Sequence, residues 1–261
     1  MTSTAAQAQP HPVALFISDL HLQASLPHTT QAFFDFLTTH AAHTQALYLL
    51  GDIFEYWAGD DDLATPFNAS IAAAIKAVSD SGVATYWIAG NRDFLVGETF
   101  AKAAGLTLLD DPTVITIGNT TITIAHGDAE CTDDTAYMAF RNQVRNPVWQ
   151  QQFLAMPLAQ RKAIIEGVRQ NSQAANKDKS MAIMDVNPDA IAQLFASTAS
   201  QTIIHGHTHR PALHVAEDGK RRFVLPDWEY DVSPARGGWI AADADGTLHR
   251  FDAQGQEIPQ A

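Results

Sequence analysis

Short apolar, β-branched runs recur along the chain, and each stops abruptly at polar residues: 13–17 (VALFI), 46–50 (ALYLL), 84–89 (ATYWIA), 121–125 (TITIA) and 201–204 (QTII). Runs of this length with polar borders predict buried strands. Between the first three lie stretches of helical periodicity, about 28–40 and 66–81. In the second of these, Ile71, Ala74, Ile75 and Val78 mark a single apolar face. Alternating strands and helices predict an α/β sheet. From about Thr135 to Phe195 the strand signal vanishes and helical composition takes over, broken at Pro147, Pro157 and Asn187-Pro188. A helical cap insertion is therefore expected over about 135–195. Strand-like runs resume afterwards, at 222–225 and 238–241 among others. The expected organisation is a disordered tail over 1–11 and a single domain over 12–261 that carries the cap.

Composition narrows the function classes. A chain of 261 residues that is 46% apolar can bury a sizeable core. The opening MTSTAAQAQPHP lacks the basic and apolar regions of a secretory signal. No stretch reaches the roughly 18 apolar residues that a membrane span requires. Cys131 is the one cysteine, which excludes an intramolecular disulfide and a thiolate-rich metal site and points to a reducing compartment. A formal charge of −13 argues against nucleic-acid binding, which depends on Lys and Arg neutralising phosphates. The charge is uneven, however. Between Arg141 and Lys179 stand Arg141, Arg145, Arg161, Lys162, Arg169, Lys177 and Lys179 against only Glu166 and Asp178, so the cap is basic within an acidic protein.

The candidate chemistry lies where the strands stop. The five runs are followed by Asp19-Leu20-His21, Gly51-Asp52, Gly90-Asn91-Arg92-Asp93, His126-Gly127-Asp128 and Gly206-His207-Thr208-His209. Ligands of α/β sheets bind beyond the carboxyl ends of the strands, so these clusters are expected to line one pocket. Asp19 and His21 are two apart, as are His207 and His209, and in extended backbone such pairs point the same way. Carboxylate, imidazole and amide oxygen suit Mn²⁺, Fe²⁺ or Zn²⁺. Seven ligands exceed one tetrahedral site and suit two ions sharing a carboxylate, with Asp52 as the natural bridge. Singly, each cluster reads as readily as a turn aspartate, a surface histidine or a buried core histidine. Their joint occurrence in order favours a dinuclear hydrolytic centre.

These blocks resemble those of the calcineurin-like metallophosphoesterases: D-x-H, G-D, G-N-H/R-D/E, an isolated His, and G-H-x-H. Within that superfamily, FISDLHL (16–22), GDIFEYWAGDD (51–61), AGNRDFL (89–95), HGD (126–128) and HGHTHRP (205–211) look like the UDP-2,3-diacylglucosamine diphosphatases of lipid A biosynthesis. Arg92 is the telling detail, since many relatives carry His in that block. Pro226 stands before Asp227-Trp228 where Gly is expected in many relatives, and this lies outside the metal blocks.

The resemblance implies a four-layer fold of two mixed β-sheets packed face to face and flanked by helices, with the metals at one edge beneath the cap. It implies two Mn²⁺ per chain, one held by Asp19, His21, Asp52 and His209 and the other by Asp52, Asn91, His126 and His207. Catalytic roles fall to Arg92, Asp52, Asn91 and His207, and substrate contacts to Asn91, Arg92, Asp134, Ser172, Asn176, Lys179 and His207. The implied reaction splits UDP-2,3-diacylglucosamine into UMP and 2,3-diacylglucosamine 1-phosphate, with a hydroxide shared by the metals attacking the α-phosphorus. The implied location is peripheral, on the cytoplasmic side of the inner membrane. Arg169, Ser172, Asn176 and Lys179 share one side of a helix by spacing, a stripe that serves either a bound sugar phosphate or solvent. The apolar Phe140, Val144, Trp149, Phe153, Leu154, Met156 and Leu158 serve either acyl chains and an anionic membrane surface or the cap's own core. Alternative readings are a phosphatase or cyclic-nucleotide phosphodiesterase acting on a soluble substrate, and a binding scaffold without catalysis.

Overall fold

The computed structural model describes residues 12–176 and 185–259, and of 170–176 the backbone alone. The expected tail over 1–11 lies outside the described residues. Strand β1 (Ala14–Ile17), helix α1 (Pro27–Thr39), β2 (Ala46–Leu49), α2 (Pro66–Asp80), β3 (Ala84–Ile88), α3 (Glu98–Ala104) and β4 (Thr107–Leu109) alternate, and the four strands run parallel. Strands β5 (Thr113–Ile117) and β6 (Thr120–Ile124) form an antiparallel hairpin. Helices α4 (Thr135–Val144), α5 (Pro147–Leu154), α6 (Leu158–Asn176) and α7 (Pro188–Thr198) follow. The chain then runs through β7 (Thr202–His205), β8 (Ala212–Val215), β9 (Arg221–Val224), β10 (Gly238–Ala242), β11 (Leu248–Asp252) and β12 (Glu257–Ile258). Two mixed sheets result, ordered β12-β11-β10-β1-β2-β3-β4 and β5-β6-β7-β9-β8.

The twofold period of a strand explains the layering, because successive side chains serve opposite faces. Leu15, Ile17, Leu47, Leu49 and Trp87 pack with Phe33 and Phe36 of α1, Ile71 and Ile75 of α2 and Phe100 of α3. The intervening Phe16, Tyr48 and Ile88 pack with Ile122, Ile124, Ile204 and Phe223 of the other sheet. On the far side of that sheet Ile203 packs with Ile191, Leu194 and Phe195 of α7. The order helix, sheet, sheet, helix is the expected four-layer arrangement.

Helix α7 fell within the expected insertion, yet it supplies the fourth layer. Helices α5 and α6 meet the loops that leave β3 and β2 through Trp149 on Phe94 and Arg161 on Ala58, and α4 meets the loop after β6 through Tyr137 and Arg141 on Asp128. Pro147 stands at the start of α5, and Asn187 caps α7 by accepting from the backbone N–H groups of Asp189 and Ala190 at 2.8 and 3.1 Å, so the predicted breaks fall at helix starts. The strands β4, β5, β8 and β12 carried no clear apolar run. All four are sheet edges with partly exposed positions, where one face meets solvent and the hydrophobic signal is diluted.

Candidate metal centre

The five polar clusters follow β1, β2, β3, β6 and β7, and the structure brings them together. The backbone achieves this differently from the expected extended geometry. Asp19, His21, Asp52, His207 and His209 have φ of 55°, 49°, 53°, 66° and 53°. They are five of the six non-glycine residues with left-handed φ among the described residues. Each such conformation costs ~1–3 kcal/mol and persists only where neighbouring structure enforces it. Here the enforcement is visible: Asp19 N donates to Gly51 O at 3.0 Å, His21 N to Asp52 O at 2.9 Å, and His207 N to Asp19 Oδ2 at 2.9 Å. Gly90 and Gly206 permit close approach, since a Cβ at either would overlap Asp52 Oδ1 or Asp19 Oδ2.

The seven candidate ligands form one continuous cluster. His21 Nε2 lies 3.2 Å from His209 Nε2, which is 3.4 Å from Asp19 Oδ1. His126 Nε2 and His207 Nδ1 converge on Asn91 Oδ1 at 2.9 and 2.8 Å. Asp52 directs Oδ1 toward His126 Nε2 at 3.6 Å and Oδ2 toward His21 Nε2 at 4.0 Å. Two triads, Asp19-His21-His209 and Asp19-Asp52-His126, place their donor atoms within 4.8 Å of one another. Asp19 belongs to both triads, while the two oxygens of Asp52 face different histidines.

These side chains fit cations. Asp19 is fully buried, and its Oδ1 has no hydrogen-bond partner. His126 Nδ1 lies 2.9 Å from Leu50 O, which places the ring proton there and turns the Nε2 lone pair toward Asn91 Oδ1. Two lone pairs facing each other call for a positive charge between them. Burial opposes charge on His126, but Asp52, Asp19 and Asp128 outweigh it and raise its pKa to about 9. Burial and the neighbouring His126 lower His207 to about 4. Burial raises the Asp19 pKa, yet the close approach of His209 and the charges of His126, His209 and His21 prevail and hold it well below the ordinary carboxylate range. A buried pocket whose carboxylates stay ionised beside imidazole nitrogens is one that divalent ions would occupy.

Several supporting residues escaped the sequence reading as site members. Glu55 Oε2 lies 3.1 Å from His21 Nδ1, and its Oε1 lies 2.6 Å from Arg169 Nη2 on α6 and 3.8 Å from Arg92 Nη1. Burial raises the Glu55 pKa, but His21 and then Arg92 and Arg169 bring it down to about 2. Asp93 accepts from Gly90 N through Oδ1 at 2.8 Å and from Ile53 N through Oδ2 at 2.8 Å, joining the loops that carry Asn91 and Asp52. Asp128 Oδ2 accepts from Tyr137 Oη at 2.6 Å and Arg141 Nε at 2.9 Å, while the Tyr137 ring stacks 5.8 Å from that of His207. Arg145 donates to Ala89 O and Gly90 O, both at 3.0 Å. Glu55, Asp93 and Asp128 all lie inside the quoted sequence blocks, so charged residues within a few positions of a ligand were the available signal.

Of the expected substrate contacts, Asn91, Arg92 and His207 sit at the cluster. Asp134 is buried at the start of α4, where its carboxylate accepts from Tyr137 N at 3.0 Å. Ser172 and Asn176 lie on the backbone of α6, their side chains outside the description, and Lys179 lies outside the described residues. The apolar cap residues divide. Phe153 is buried in the main core with Trp149 and Met156 packed against it, and Val144 is also buried. Phe140, Val148, Leu154, Ile164 and Val168 stay exposed.

Comparison with known proteins agrees with this geometry. Residues 13–211 match the family model described as calcineurin-like phosphoesterase. A protein of Aromatoleum aromaticum named UDP-2,3-diacylglucosamine hydrolase is 52% identical over 244 residues, covering 92% of this chain and 98% of its own. Proteins of the same name from Cellvibrio japonicus and Chromohalobacter salexigens are 48% and 47% identical, over 90% and 92% of this chain and 97% and 98% of theirs.

Proposed function

The chain belongs to the calcineurin-like phosphoesterase family, and from that premise we propose that it hydrolyses UDP-2,3-diacylglucosamine to UMP and 2,3-diacylglucosamine 1-phosphate. The observation that carries this reading is the convergence of all seven side chains beneath a basic, partly apolar cap. Relatives that share about half of the residues over nearly their whole length bear the name of this activity.

In this reading Asp19, His21, Asp52 and His209 would hold one Mn²⁺, and Asp52, Asn91, His126 and His207 would hold the other. The approach of one Asp52 oxygen to His126 and of the other to His21 supports its sharing by both halves of the cluster. A pair of such ions supplies an acidified water as nucleophile and screens the charge of the pyrophosphate. The protein supplies the rest. Arg92, its backbone N–H donating to Asp52 Oδ1 at 2.8 Å, presents a guanidinium that grips phosphate oxygens and offsets charge developing at the α-phosphorus. Tyr137 stacks on the His207 ring and Asn91 meets its Nδ1, contacts that would hold the ring in place before substrate arrives. The departing sugar phosphate is a good leaving group and demands no strong general acid.

The cap addresses the lipid. Five of the eight large apolar side chains exposed among the described residues lie on α4, α5 and α6: Phe140, Val148, Leu154, Ile164 and Val168. Among basic neighbours they suit acyl chains and an anionic bilayer surface, which supports peripheral attachment on the cytoplasmic side of the inner membrane. No described helix is long and apolar enough to cross a membrane. An assay with Mn²⁺ tests the substrate. Rapid cleavage of UDP-2,3-diacylglucosamine with slow turnover of p-nitrophenyl phosphate and cyclic AMP is expected, and the reverse preference would select a phosphatase of soluble substrates.

A further inference from the structure

Helix α6 is anchored to one short segment, residues 55–62, which follows Asp52 directly. Near its start Arg161, 2% exposed, donates to Ala58 O and Asp61, and Lys162 Nζ lies 2.6 Å from Asp62 Oδ1. Two turns further on, Arg169 reaches the same segment at a single carboxylate, Glu55, while its guanidinium lies 5.8 Å from the Tyr56 ring. That carboxylate is divided between two tasks. Oε1 takes Arg169 at 2.6 Å, and Oε2 stands 3.1 Å from Nδ1 of His21. The contact is one of charge rather than an aligned hydrogen bond, and a carboxylate so close favours the His21 proton on Nδ1 and leaves Nε2, which faces His209, free to ligate.

We propose that Glu55 is a positioning residue that couples the cap to the metal centre, orienting His21 through one oxygen and holding the second half of α6 through the other. Coupling of this kind is reciprocal: if cation binding at His21 steadies Glu55 and so α6, then docking of α6 strengthens cation binding by the same factor. The arrangement also keeps two guanidiniums together beside the cluster, since Arg92 Nη1 lies 3.8 Å from the same Oε1 that holds Arg169. The proposal rests on the dinuclear reading given above.

The test measures Mn²⁺ binding by titration calorimetry on chelator-stripped protein, together with amide hydrogen exchange over residues 163–169 with and without Mn²⁺. In the wild type Mn²⁺ is expected to slow exchange in this stretch about fivefold or more, within the usual range of coupling between sites. Glu55→Ala is expected to weaken binding at one site by about 10–100-fold, as loss of such a supporting partner does, and to abolish the Mn²⁺ effect on exchange. Glu55→Gln keeps an oxygen for His21 without the charge, so it should recover part of the affinity but not the tether to Arg169. Arg169→Ala should lose the Mn²⁺ effect on exchange while binding Mn²⁺ more tightly than Glu55→Ala, and it carries the test if Glu55→Ala does not fold. Wild-type affinity in Glu55→Ala, or a wild-type Mn²⁺ effect on exchange in Arg169→Ala, overturns the coupling alone. A wild-type protein that binds no cation overturns the dinuclear reading and this proposal together.

Discussion

Asp52 reaches both halves of the cluster with separate oxygens, toward His126 at 3.6 Å and toward His21 at 4.0 Å. Removing it takes away a shared negative charge rather than one neutral donor, whose loss alone costs ~10²–10³-fold in kcat. Asp52→Ala is therefore expected to lower kcat by ~10³-fold or more at saturating Mn²⁺. Steady-state kinetics showing a comparable kcat in the variant would remove the bridge. A second residue-level prediction concerns Glu130, whose pKa is pushed up to about 7 by burial and by the charges of Asp111 and Asp128. Its folded-state value lies above its unfolded one, so its contribution is intact below about pH 4.5 and lost as pH rises through about 7. Glu130→Gln should unfold with the wild type at about pH 4 but be more stable by ~2–3 kcal/mol at about pH 8. Urea denaturation at the two pH values checks this, and equal stability at pH 8 would show that the site does not oppose the charge. The ligands themselves were legible because carboxylate, imidazole and amide recurred after successive strand-like runs. Their left-handed backbone was not, since Asp and His adopt it only under bonds such as Asp19 N to Gly51 O that join distant segments.

Among the elements, the buried parallel strands were readable and the edge strands were not. β2 is almost wholly buried and reads as an unbroken apolar run, whereas β8 runs from half-buried Ala212 and Leu213 out to exposed His214 and Val215. Helix α7 shows the limit of composition as a guide. Its helical pattern was as clear as that of α4 to α6, but nothing local said that Ile191, Leu194 and Phe195 would face Ile203 rather than close a cap. The packing predicts a difference in behaviour. Asn187→Ala, which removes the acceptor for Asp189 N and Ala190 N, should lower stability by ~1 kcal/mol and leave kcat unchanged. Denaturant midpoints and turnover measured on the same preparation check it. A large loss of activity without loss of stability would place α7 with the cap after all.

At the scale of the whole molecule, two sheets packed face to face bring loops from both to one edge, with β1, β2 and β3 supplying Asp19, His21, Asp52 and Asn91 and β6 and β7 supplying His126, His207 and His209. That gathering spans 190 residues of chain and was foreseeable only from the order of the motifs, because no local pattern records which loops meet. Cations bound there would join the two sheets, so saturating Mn²⁺ at ~1,000 times its dissociation constant should stabilise the fold by ~4 kcal/mol over the chelator-treated protein. The most direct test of the account is titration of Mn²⁺ into metal-stripped protein while bound metal and cleavage of UDP-2,3-diacylglucosamine are followed together. Two equivalents bound per chain, with full turnover reached only as the second site fills, is the predicted result. Full turnover in excess chelator, or saturation at a single equivalent, would contradict it.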